Sequence, residues 1–133
     1  MNQEVIPGSL QRTSLECKSA TSSAPACQVV FTSLTVGSRP HITIEVANSD
    51  FDLSSEYVSR VLVGGQTIGT NYLASGGQQC NCNVMSKIVD AQAAPAGTVS
   101  ASGELVVRLE TSSEVNACPC SGGWYLYARV SII

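Results

Sequence analysis

Four of the six cysteines fall in two matching pairs, Cys80-Asn81-Cys82 and Cys118-Pro119-Cys120, while Cys17 and Cys27 bracket a short Ser/Thr/Ala/Pro stretch. In an extended strand the two side chains of Cys-x-Cys point to opposite faces, so neither pair closes on itself and each member needs a remote partner. Two bridges between the Cys80/Cys82 and Cys118/Cys120 segments, with Cys17 joined to Cys27, satisfy the pattern. Which of Cys80 and Cys82 takes Cys118 stays open. Three disulfides belong to an oxidising compartment, so an extracellular or cell-surface location is expected. Met1-Asn2-Gln3-Glu4 has neither the basic start nor the apolar run of a signal peptide, so with disulfides present the expectation is that an export signal has been removed, the alternative being that Met1 was added for expression. Zinc is the rival reading of the four paired cysteines, although structural zinc knuckles space their ligands by two to four residues rather than one.

The rest of the chain alternates β-rich runs with Gly, Ser, Asn and Pro, and no stretch holds a helical period. Strands are expected over 28–36, 41–47, 57–63, 66–70, 104–110 and 124–133, with 84–89 either a strand or a helical turn. In 124–133, Trp124, Leu126, Ala128, Val130 and Ile132 share one face, and Tyr125, Tyr127, Arg129 and Ser131 the other. Gly64-Gly65 between two runs is a hairpin signal, and Ser102-Gly103 a second turn. Short strands at this spacing predict one all-β domain, a disulfide-stapled antiparallel β-sandwich of jelly-roll or Ig-like type. Residues 1–27 are expected as an extended tail and small disulfide loop, and 28–133 as the sandwich.

With 133 residues the chain suits one core. Its charged fraction of 13% is about half the usual share for a soluble domain. A net charge of −3 without a basic stripe excludes nucleic acid as a partner. No apolar run approaches the ~20 residues of a membrane-spanning helix.

Three sets of residues are candidates for chemistry. Asp50, Asp52 and Glu56, with Ser54, place oxygens at alternate positions of one loop and form a candidate calcium site. The spacing fails the EF-hand pattern, and the competing reading is a turn whose side chains cap local amides. Tyr72, Tyr125 and Tyr127 are candidate platforms for sugar rings, against the commoner role of packing within the domain. His41, the single histidine, opens an alternating strand. No nucleophile elbow or phosphate loop is present, so no catalytic residue and no enzyme activity are expected.

Three patches, Asp50–Val58, Val61–Gly69 and Val115–Cys120 with Trp124–Tyr127, resemble a cysteine-containing β-sandwich module of microbial extracellular and cell-surface proteins. The resemblance runs from the Ile42 strand to the C-terminus and leaves out Cys17 and Cys27. Some relatives of that kind build surface fibres, which implies a structural subunit here. Low charge favours subunit contacts, and the extended Glu4–Ile6 segment suits addition to a neighbour's open sheet edge, giving a homopolymer. The alternative is a carbohydrate-binding, lectin-like module, assisted by calcium, with glycans as partners.

Overall fold

The computed structural model describes residues 2–5, 14–19, 24–51, 53–73, 79–115 and 126–132, without the side chains of 2–5, 48–50 and 79–84. Among these residues the chain forms nine strands and no helix: β1 (Asn2–Val5), β2 (Ser14–Ser19), β3 (Ala26–Phe31), β4 (His41–Asp50), β5 (Val58–Val63), β6 (Gln66–Tyr72), β7 (Gln79–Ala93), β8 (Leu105–Thr111) and β9 (Leu126–Ile132). They build two sheets, ordered β1-β3-β8-β5-β6 and β2-β9-β4-β7. With β1 set aside, β2 pairs with β9, β3 with β8, β4 with β7 and β5 with β6. These are the pairings of one long hairpin rolled on itself, so the sandwich is a jelly roll. Every pair is antiparallel except β1 with β3, which run parallel.

Period-two patterning places the core between the sheets. In β8, Leu105, Val107 and Leu109 are buried and Val106, Arg108 and Glu110 are partly exposed. The same alternation holds in β9, where Leu126, Ala128, Val130 and Ile132 face inward, as their spacing predicts. Ile42, Ile44 and Val46 of β4 and Val29 and Phe31 of β3 complete the facing rows. Each fully buried aliphatic side chain contributes roughly 1.5–3 kcal/mol. In β5 the inward set differs from a simple alternation. A register shift between Val58 and Arg60 inserts one residue, so Val58 joins Val61 and Val63 in the core while Tyr57 stays half-exposed.

Strand β7 is longer than the 84–89 run expected and is a strand throughout. It lies at a sheet edge and pairs with β4 through three register shifts. Interrupted pairing explains why its sequence shows no clean period, and bulges at an edge discourage further strand addition. Strand β2 lies in the polar stretch expected as tail and loop. Leu15, Cys17 and Ser19 point into the core, and β2 pairs along its whole length with β9. The segment carrying Cys17 and Cys27 is therefore built into the sandwich.

Cys17 and Cys27 form a disulfide with a Cα–Cα separation of 5.8 Å, as expected, and both are buried. Cys17 belongs to the four-stranded sheet and Cys27 to the five-stranded one, so the bond ties sheet to sheet. Cys80 and Cys82 lie on the β7 backbone, and their expected bridges to Cys118 and Cys120 fall outside the described side chains.

On the outer surface, register lines up Glu16, Arg129, Glu45 and Lys87 across four strands with alternating charge. Arg129 Nη2 and Nε donate to Glu45 Oε1 at 3.0 and 3.1 Å. On the other sheet the Glu110 carboxylate accepts from Arg60 and, at 2.8 Å, from Arg108. Hydrogen bonds from these two guanidinium groups, Arg60 first, hold its carboxyl below the ordinary value of 4.5.

Two predictions test these links. Replacing Cys17 and Cys27 together by Ala should destabilise the domain by about 3 kcal/mol, from the loop entropy of a bridge spanning a separation of 10 residues. Urea unfolding measures this directly. Because Glu110 titrates lower folded than unfolded, its stabilisation is fully present above the ordinary carboxylate range and is lost as pH falls through the folded value. Glu110→Gln should thus cost under about 1 kcal/mol at pH 7 and flatten the acid limb of the stability profile below pH 4.5.

Candidate functional site

Two tight turns meet at one end of the sandwich and leave a cleft between them. The β5–β6 hairpin turns at Gly64-Gly65, with φ of 56° and 82°. Two successive positive φ values are those of a type I′ turn, which glycine adopts without strain, and the hairpin expected there is present. The second turn precedes β8. Gly103 N donates to Ser100 O at 2.9 Å and Ser100 N to Glu104 O at 2.8 Å. The first turn is tied to β8, just beyond the second turn, by Gly64 N donating to Val106 O at 2.8 Å. A Cβ on Gly64 would fall 2.7 Å from Thr98 Cβ, so this close approach requires glycine.

The cleft has a volume of about 540 Å³ and is bounded by the two hairpin glycines, Thr98, Ser100, Ser102, Glu104 and Val106, among others. That falls within the range of small-molecule sites. Its polar groups form a directed chain. Ser102 Oγ donates to Glu104 Oε1 at 3.1 Å, and Ser100 and Ser102 hydroxyls lie 2.9 Å apart. Since the Ser102 proton goes to Glu104, the Ser100 hydroxyl donates to Ser102, and Ser100 Oγ in turn accepts from Glu104 N at 3.1 Å. Among the described residues Glu104 Oε2 has no partner. The wall therefore offers a fixed carboxylate acceptor to hydroxyl or amine donors. Thr98 does not add to this, because its hydroxyl is committed to Pro95 O at 2.8 Å.

Residue pattern alone did not single out Glu104, Ser100 or Ser102. They are ordinary turn residues in sequence, and only the meeting of two distant turns makes them a wall. The one available signal was the pair of glycine turns at 64–65 and 102–103.

Of the expected site residues, Glu56, Tyr72 and Tyr127 are described, and none of them lines this cleft. Glu56 is buried, and its Oε2 accepts from Leu53 N at 3.1 Å while its own N–H donates to Leu53 O at 3.0 Å. The Glu56 carboxylate thus caps an amide of its own turn. The Asp50 side chain and Asp52 lie outside the described set, so the expected calcium site of Asp50, Asp52 and Glu56 falls outside what the structure describes. Among the described residues no three acidic, His or Cys side chains cluster around a metal-sized site. Tyr72 is half-buried with its hydroxyl end laid over Gly69, where it leaves no room for a Cβ. Its buried part packs against the core. Tyr127 is on the outer face of β9, where Lys18 Nζ lies 5.8 Å from its ring centroid. Tyr125 falls outside the described residues. His41 is exposed at the start of β4.

Gly64→Ala should lower stability by at least 1 kcal/mol, through a positive φ and the contact with Thr98. Gly65→Ala, with open space around its Cβ position, should cost less. Thermal unfolding of the two variants compares them.

No protein-family model matches the chain, and no curated protein matches it by sequence. Of the expected resemblance to microbial cell-surface modules, the β-sandwich is what the structure bears out. Among solved structures the chain is similar to a carbohydrate-binding module, CBM36, in complex with calcium and xylotriose. That similarity has 16% sequence identity and a TM-score of 0.39, and covers 84% of this chain and 75% of the other.

Proposed function

We propose that this jelly roll is an extracellular carbohydrate-binding domain that takes a short glycan in the cleft between the Gly64-Gly65 and Ser100–Glu104 turns. The observation that carries this reading is the Ser100–Ser102–Glu104 chain, which holds a carboxylate in the lining of the cleft. Neighbouring hydroxyls on a sugar are donors with the geometry to meet a carboxylate, and hydrogen bonds to a charged group are the stronger kind. The glycine turns let ligand approach backbone closely, and the Val106 side supplies an apolar strip. The inter-sheet disulfide fits an oxidising location.

Binding rather than hydrolysis is proposed because Glu104 is the one titratable residue lining the cleft among those described, whereas glycosidases work with a pair of carboxylates. Calcium belongs to a separate site in this proposal. Asp50 and Asp52 adjoin the start of β5, while the cleft lies beyond its end, so calcium there would stabilise a loop without touching the glycan.

The test is a screen of soluble oligosaccharides of two to four sugars, followed by calorimetry on any that bind. Glu104→Gln and Ser102→Ala should each weaken binding about tenfold or more while leaving the unfolding temperature nearly unchanged. Chelation of calcium should leave glycan affinity as it was. Binding that survives both substitutions but is lost in Tyr127→Ala would move the site to the outer face of β9 and overturn the cleft assignment.

A further inference from the structure

The eight strands from β2 to β9 complete the jelly roll by themselves, each matched in the 2–9, 3–8, 4–7, 5–6 scheme. β1 is an addition to that roll. It runs parallel to β3 in unbroken register, from Asn2 opposite Cys27 to Val5 opposite Val30, and it has a strand partner on one side alone. Without it, β3 would be an open edge carrying the same row of amide and carbonyl groups. We infer that this edge is also filled in trans: a second copy of this chain seats its own Asn2–Val5 strand on β3.

Three observations support the second copy as the occupant. Pairing along an edge is made by backbone groups, so an identical strand from another molecule makes identical bonds, which is the low-cost route by which subunits exchange an element. Of the other three edges, β2 is regular and already pairs along its whole length with β9, and two are less receptive. β7 is broken by three register shifts, and β6 by a shift at Val61/Leu62 and a positive φ at Asn71, whereas the β1–β3 register has none. Finally, β1 is separated from β2 by residues 6–13, eight residues that reach at most about 28 Å when extended. A connection of that length lets β1 reach a neighbouring molecule while β2 stays in its own sheet.

A short tether also gives the intramolecular strand an effective concentration in the millimolar range. Exchange is therefore concentration-dependent, with β1 folded back in dilute solution and traded between copies when crowded. Paired copies would carry two clefts, but the exchange stands whether or not the cleft binds sugar.

Light scattering on the full chain from 10 µM to about 1 mM should show a mass rising above 13.9 kDa. The variant Gln3→Pro/Glu4→Pro should stay monomeric at every concentration. Adjacent residues direct their N–H groups to opposite sides, so one of the two prolines removes a donor facing β3 in either orientation. Should that variant lose its fold by circular dichroism, a chain starting at Pro7 and a fluorescein-labelled peptide of residues 1–8 replace it. The peptide should bind the shortened chain at least tenfold tighter than the full one. A full chain that is monomeric throughout, association undiminished by the prolines, or a peptide that ignores the shortened chain would each overturn the inference.

Discussion

Everything in this molecule hangs on two facing rows of aliphatic side chains. Phe31, Val61, Leu105 and Leu109 from one sheet meet Ile42, Ile44, Leu126 and Val130 from the other, all fully buried. Because strand side chains alternate, a slip of one residue in any central strand would turn its apolar set to water and its polar set inward. The core therefore dictates register, and register dictates which charges meet outside. Arg129 finds Glu45 because Val130 and Ile44 must face each other across the same strand pair. The loops at the two ends are free to vary only because the rows between them are not.

Much of this was legible in the residue pattern. The strands β4, β5, β6, β8 and β9, the hairpin at Gly64-Gly65 and the partnering of Cys17 with Cys27 all follow from alternation, turn chemistry and cysteine spacing. Strand β2 was hidden because two of its three inward residues are Cys17 and Ser19, so its apolar signal reduces to Leu15. In β5 an inserted residue puts Val58 inward and leaves Tyr57 half-exposed, a shift of period that no local pattern displays. The choice of jelly roll over Ig-like sandwich depends on which strands are neighbours, and that is information about contacts far apart in the chain.

The candidate site was less legible still. Aromatic and acidic residues attract notice in a sequence, and among them Tyr72 lies over Gly69 while Glu56 accepts from Leu53 N. Ser100, Ser102 and Glu104 draw none, and their arrangement depends on the close seating of Gly64 against Thr98, some 30 residues away. The three-patch resemblance covers the β5–β6 hairpin that forms one wall of the cleft, but not the turn that supplies its polar groups. Function in such a fold is carried by loop chemistry on a common scaffold, so the scaffold's pattern says little about it.

The disulfide between sheets also decides how the domain would carry mechanical load. Tension entering through β1 works first against a single neighbour, the β3 edge. Once that strand peels, the load reaches β2, where Cys17 passes it through a covalent bond to Cys27 in the opposite sheet. Tension entering through β9 is resisted on both sides at once, by β2 and β4. The molecule is thus softest at its first strand and stiff behind it, a fuse placed ahead of a clamped body.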